Sequence, residues 1–226
     1  MDIKNNITIF NREVTTLGGR LIAVGKTHPA ETLRVAYDAG QRIFGENKVQ
    51  EMTAKYEVLP KDIDWHMIGH LQTNKVKLIV PFVSLIHSID SVKLMEELHK
   101  QAAKTNRTVA CLLQVHIAQE ETKFGFNDAE LFSVLESPST RELTSIRIEG
   151  LMGMASLTAS QDQIRKEFRH LKTLFQTLQS RSLPPNVHMK ELSMGMSSDY
   201  KIALEEGSTL VRIGTAIFGD RKNIHP

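Results

Sequence analysis

The order of the segments limits what this chain can fold into more than any other feature. Eight strand-like stretches, each closed by glycine or polar residues, alternate with stretches of helical spacing. They fall at Leu21 to Val24, Gln41 to Phe44, Ile63 to Ile68, Val83 to Ile89, Val109 to Ile117, Ile146 to Met152, Glu191 to Ser193 and Thr209 to Ile213. Strict alternation implies parallel strands, because each helix carries the chain back to the starting end of the sheet. The uninterrupted apolar run Leu21-Ile22-Ala23-Val24 suits a strand covered on both faces. An open parallel sheet usually stops at fewer strands, so the expectation is an α/β fold, a TIM-type (β/α)8 barrel.

The barrel is expected over 20–219 of a single domain spanning 1–226, preceded by an extra helix over 1–18. In that helix Ile3, Ile7, Phe10, Val14 and Leu17 recur every 3 to 4 residues, and Gly18-Gly19 ends it. Little sequence follows the last strand, so this first helix is expected to occupy the place of the eighth. Asn127 with Glu130 and Ser160 with Gln163 read as capping boxes, and Asp90 or Ser91 as a further helix cap. Ile164, Phe168, Leu171, Phe175 and Leu178 form the longest helical stripe, which Pro184-Pro185 closes.

Composition removes several function classes. With 226 residues, 41% of them apolar, the chain can fill a full core. Its 28 basic and 26 acidic side chains are interspersed, with no basic run among aromatics, so nucleic acid is not an expected partner. One cysteine, Cys111, lies in an apolar run and reads as core. The opening MDIKNN has no apolar leader character, and Leu78 to Ile86 is broken by Pro81 and Ser84. No membrane association is expected, and a cytoplasmic location is.

The chemistry collects at strand ends. Lys26 follows the first strand at its carboxyl end, where α/β barrels carry their sites. The loops after strands seven and eight read SMGMSSD and RIGTAIFG, with small hydroxyl residues and glycines before helix starts, a pattern suited to an anion. Closing the barrel sets strand eight beside strand one, so an amine and a phosphate cradle become neighbours. That pairing suits a Schiff base with a phosphorylated aldehyde, either pyridoxal phosphate or a phosphorylated sugar. Arg212 can only donate, so against a pyridine nitrogen it would leave the ring a weak electron sink. Lys123, after strand five, reads equally as a pocket residue or a solvated one. His66 and His70 are four apart, which on a strand separates them along one face, and zinc is not expected.

With these residues placed, AVGKTHPAE, DAGQRIFGENKVQE, WHMIGHLQTNK, ETKFGF, GLMGMAS and LSMGMSSD followed by GSTLVRIGTAIFG carry a resemblance. From about Leu21 to Gly219 the chain resembles the pyridoxal-phosphate homeostasis protein family, whose fold is that of the alanine racemase amino-terminal barrel. The resemblance implies that Lys26 holds pyridoxal 5'-phosphate as a Schiff base. It further implies that Ser197, Gly214 and Thr215 hold the phosphate, that Arg212 faces the pyridine nitrogen, and that Asn47 lies near the ring hydroxyl. Lys123 matches a family lysine near the pocket. Gly25 departs from the serine common there and is expected to loosen the backbone before the lysine.

The family handles the cofactor and supports its balance in the cell, without an established reaction. A non-catalytic carrier is therefore the leading expectation, with pyridoxal-phosphate-dependent apoenzymes as recipients. A slow amino-acid racemase and a Schiff-base lyase acting on a sugar phosphate are the alternatives. Racemisation needs a second acid/base group, which alanine racemases take as a tyrosine from an additional carboxyl-terminal domain. Tyr37, Tyr56 and Tyr200 read instead as helix residues, and a monomer is expected.

Overall fold

The computed structural model describes residues 2–120 and 124–219. Its strands are β1 (Arg20–Val24), β2 (Ile43–Glu46), β3 (Asp64–Met67), β4 (Leu85–Ile89), β5 (Val109–Val115), β6 (Ile146–Gly153), β7 (Val187–Met196) and β8 (Leu210–Ile213). Each pairs in parallel with its neighbour in sequence, and β8 pairs with β1, closing the barrel. The helices are α1 (Ile3–Thr16), α2 (Ala30–Asp38), α3 (Val49–Val58), α4 (Val76–Ile79), α5 (Val92–Lys104), α6 (Asp128–Glu136), α7 (Pro138–Glu142), α8 (Gln161–Gln179), α9 (Tyr200–Glu205) and α10 (Thr215–Phe218).

The alternation of side chains along a strand divides the apolar residues into two cores. Ile22, Leu85, Ala110, Leu112, Met152 and Leu210 pack inside the barrel. Leu21, Ala23, Val211 and Ile213 belong to the larger core between barrel and helices. The seam is fixed by the register Arg20 to Leu210, Leu21 to Val211, Ile22 to Arg212 and Ala23 to Ile213. Arg212 therefore stands beside inward-facing Ile22.

Helix α1 covers this seam. Ile7 and Val14 are fully buried, Phe10 meets Tyr200 edge-on, and Asn6 Nδ2 donates to the Ile217 carbonyl at 3.1 Å. Because α10 has four residues, α1 occupies the outer position that a long eighth helix would take. Gly18, at φ +81, turns the chain out of α1 towards β1.

Three local readings need correction. Strand β7 has ten residues rather than three, because polar Lys190 and half-buried His188 lie among its buried positions and interrupt the apolar signal. Asn127 and Glu130 form the full capping box, but Ser160 accepts from Gln163 N–H without the reciprocal bond, since Gln163 Nε2 donates to Glu167 instead. Ser91 is the cap position of α5, yet its hydroxyl donates to Asp90 rather than capping the helix. Among the described residues no helix is long and apolar enough to cross a membrane.

Candidate functional site

At the carboxyl end of the barrel a cavity of about 390 Å³ opens between the loops after β1, β2, β7 and β8. Lys26, Asn47, Ser197, Arg212, Gly214 and Thr215 all line it, with Ile68 and Met154 supplying apolar wall. The six sequence-selected residues that the structure describes thus share one space. Lys123 lies outside the described residues.

The end of β1 is tightly held. Gly25 N–H donates to the Gly45 carbonyl at 3.0 Å, continuing the ladder to β2. Its carbonyl accepts from Lys55 Nζ at 2.9 Å and from His28 N–H at 3.1 Å. A Cβ on Gly25 would lie 2.7 Å from Leu33 Cδ2 and 2.8 Å from Glu46 Oε1. A side chain at this position would have to displace the ends of Leu33 and Glu46, so the strand end is closely packed here. Thr27, just beyond Lys26, has φ +67, a left-handed conformation unusual for a β-branched residue, and its N–H donates to Glu51 Oε2 at 2.8 Å.

Behind this turn is a buried ion pair. Lys55 Nζ lies 2.6 Å from Glu46 Oε1, and Glu46 Oε2 has no hydrogen-bond partner among the described residues. Burial pushes the Glu46 carboxyl up to about 7, against the opposing pull of Lys55. On the next loop, Gly69 passes so close to Asn47 that a Cβ there would sit 2.4 Å from the Asn47 carbonyl oxygen. Only glycine allows this approach, which seats Asn47 at the rim of the cavity.

Across the cavity, Gly214 N–H points to Ser197 Oγ at 3.3 Å, linking the two loops. Thr215 follows as the first residue of α10. Arg212 is buried on β8, where NH1 donates to the Ser193 carbonyl at 3.0 Å and to Ser193 Oγ at 2.6 Å. Its NH2 donates to the Gly153 carbonyl at 3.1 Å. Desolvation pulls the guanidinium down to about 10.

Sequence reasoning missed what lies beneath Arg212. Ser193 Oγ is 2.9 Å from His87 Nδ1, and His87 Nε2 is 3.0 Å from His66 Nδ1. All three residues are buried, and desolvation drives His66 down to about 3 and His87 well below its ordinary value. The available signal was parity: His66 faces Leu85 across β3 and β4, and His87 is two residues further along the same inward face. His70, which the sequence sets beside His66, turns instead to Asp90. No group of three or more metal-binding side chains occurs among the described residues. The tyrosines sit on helices: Tyr37 hydroxyl donates to Asp62, Tyr56 stacks on Phe82, and Tyr200 hydroxyl donates to Glu13.

The sequence and the barrel both have counterparts among known proteins. Residues 2–222 match the family model described as alanine racemase, N-terminal domain. The pyridoxal phosphate homeostasis protein of Aquifex aeolicus is 43% identical over 204 residues, covering 90% of this chain and 87% of that protein. The mouse protein of the same name is 38% identical, covering 97% and 83%. The structure of PipY from Synechococcus elongatus PCC7942 with PLP bound superposes with a TM-score of 0.85 at 38% identity, covering 96% of this chain and all of PipY. An alanine racemase from Streptomyces coelicolor A3(2) shares the fold, with a TM-score of 0.76 at 17% identity, covering 96% of this chain and 58% of that one. This chain belongs to the pyridoxal phosphate homeostasis proteins, a family built on the amino-terminal barrel of alanine racemase.

Proposed function

We propose that this protein binds pyridoxal 5'-phosphate, holds it as a Schiff base on Lys26, and takes part in its balance in the cell without strong catalytic activity. The observation that carries the reading is the convergence of Lys26, the Ser197 and Gly214-Thr215 loops and Arg212 on one cavity. The donor set fits the cofactor's chemistry. Hydroxyls and backbone N–H groups at Ser197, Gly214 and Thr215 suit a phosphate dianion, and Arg212 presents only donors to a ring nitrogen. Asn47, on the β2 side, suits the ring hydroxyl. Bound there, the cofactor would supply an aldehyde able to exchange between amines.

The chain's own residues favour retention over turnover. Lys26 is tethered through Gly25 to the Lys55 ammonium, which fixes where its backbone leaves the strand. Arg212 keeps a ring nitrogen unprotonated, which weakens the ring as an electron sink. Exchange would take place with the free pool or with apoenzymes that need the cofactor, the protein acting as a monomer in the cytoplasm. A slow racemase is the second reading, with Lys26 as one base.

The test is the absorption spectrum of the purified protein, then borohydride reduction and peptide mass spectrometry, with Lys26→Ala as control. A visible band and a phosphopyridoxyl adduct on Lys26, both absent from the variant, are expected. A colourless protein that takes up no added pyridoxal phosphate would overturn the reading and leave a sugar-phosphate lyase to pursue. Lys26-dependent loss of α-deuterium from amino acids would move the assignment to the racemase.

A further inference from the structure

Arg212 does not reach the cavity unsupported. Its guanidinium opens a chain of buried polar groups through the barrel interior, from Ser193 on β7 to His87 on β4 and His66 on β3. The separations of 2.6, 2.9 and 3.0 Å are all direct hydrogen bonds. Nothing in the cofactor-binding reading requires such a chain, since Arg212 NH1 and NH2 already have carbonyl acceptors on Ser193 and Gly153.

The direction of the bonds follows from counting protons. Arginine can only donate, so Ser193 Oγ accepts from Arg212. The Ser193 hydroxyl proton then has one remaining close acceptor among the described residues, His87 Nδ1. His87 must therefore carry its proton on Nε2 and give that bond to His66 Nδ1, which leaves His66 protonated on Nε2. In the reverse direction both imidazoles would donate towards Ser193, and a fully buried hydroxyl proton would be stranded, a costly arrangement. Both rings are too desolvated to become cations, which is consistent with one proton on each.

Resting on the cofactor assignment above, we infer that Ser193 and His87 are positioning residues for Arg212, which hold its guanidinium in the one orientation that can donate to the ring nitrogen of pyridoxal phosphate. The chain runs as a single directed series, Arg212 to Ser193 to His87 to His66. Selectivity for a ring bearing an acceptor nitrogen is the property it confers.

The experiment compares affinity for pyridoxal phosphate with affinity for the analogue carrying CH in place of the ring nitrogen, measured by fluorescence titration of the stripped protein. In the unaltered protein the natural cofactor should bind at least about tenfold more tightly, the worth of one hydrogen bond from a charged donor. Ser193→Ala and His87→Leu should bring that ratio close to one, while Ser193→Thr, which keeps the hydroxyl, should restore it. Circular dichroism and melting curves establish that each variant is folded. Nitrogen-15 spectra of the unaltered protein supply a second readout, with His87 and His66 expected as neutral Nε2–H tautomers. A preserved ratio in folded Ser193→Ala and His87→Leu would overturn the inference, as would an Nδ1–H tautomer at His87. If the unaltered protein binds neither ligand, the cofactor assignment itself has failed, which is a separate outcome.

Discussion

The Lys55 ammonium donates to the Gly25 carbonyl at 2.9 Å, so a buried charge on α3 is bonded to the residue that precedes Lys26. The same ammonium pairs with Glu46 at 2.6 Å, at the end of β2. One cation thus ties the ends of two adjacent strands at the floor of the site.

Removing that cation should be costly. Lys55→Met would leave the Glu46 carboxyl buried without its partner, and well above pH 7, where that carboxyl is ionised in the unaltered protein, breaking a buried pair in this way typically costs about 3–5 kcal/mol. For a domain of this size that corresponds to a melting temperature lower by roughly 10 °C. The double variant Lys55→Met/Glu46→Gln removes both charges and should recover most of the loss. Equal melting temperatures for the single and double variants would show that packing, not charge, dominates there.

The pH dependence of stability should carry the Glu46 signature. Its folded pKa is raised from 4.5 to about 7, so between these values the folded state binds more protons than the unfolded state. Unfolding free energy therefore falls as pH rises through that window and levels off above it. Glu46→Gln, which imitates the protonated form, lacks this slope. The melting temperature of the unaltered protein minus that of Glu46→Gln is expected to decline from pH 4.5 to pH 7. A difference that rises with pH would mean that Lys55 outweighs desolvation.

Ser197→Ala separates phosphate recognition from the rest of the site. Ser197 Oγ now accepts from Gly214 N–H at 3.3 Å, a long bond that a phosphate oxygen could replace at either group. The variant should weaken pyridoxal phosphate by roughly tenfold, the effect of one hydrogen bond to a charged group, and leave pyridoxal little changed. Equal weakening of both ligands would place Ser197 outside the phosphate contact.

How far the sequence could be read depended on the range of the interaction. The strand and helix order was legible because barrel closure follows from alternation, and Lys26 could be paired with Gly214-Thr215 because closure brings β8 beside β1. Ser193, His87 and Lys55 were not legible. Their partners lie 106 residues apart for His87 and Ser193 and 30 for Lys55 and Gly25, and strand parity marks which side chains point inward without saying which of them meet. The surroundings of Gly25 were hidden for a related reason: a Cβ there would meet Leu33 on α2 and Glu46 on β2, which only the folded packing brings together.

The turn after Lys26 gives a last test, because it holds a conformation that its sequence disfavours. Thr27 at φ +67 costs on the order of 1 kcal/mol or more, and the Thr27 N–H bond to Glu51 Oε2 at 2.8 Å is what offsets it. Asparagine tolerates the left-handed region, so Thr27→Asn should raise the melting temperature by about 2–4 °C with cofactor affinity unchanged. Glu51→Ala should release the turn, re-aim Lys26 and slow formation of the visible band by several-fold. Combining the two should restore the rate, since asparagine supplies the backbone preference that Glu51 enforces. If Glu51→Ala alone loads cofactor at the unaltered rate, then the packing of Gly25, and not the carboxylate, sets the direction in which Lys26 leaves β1.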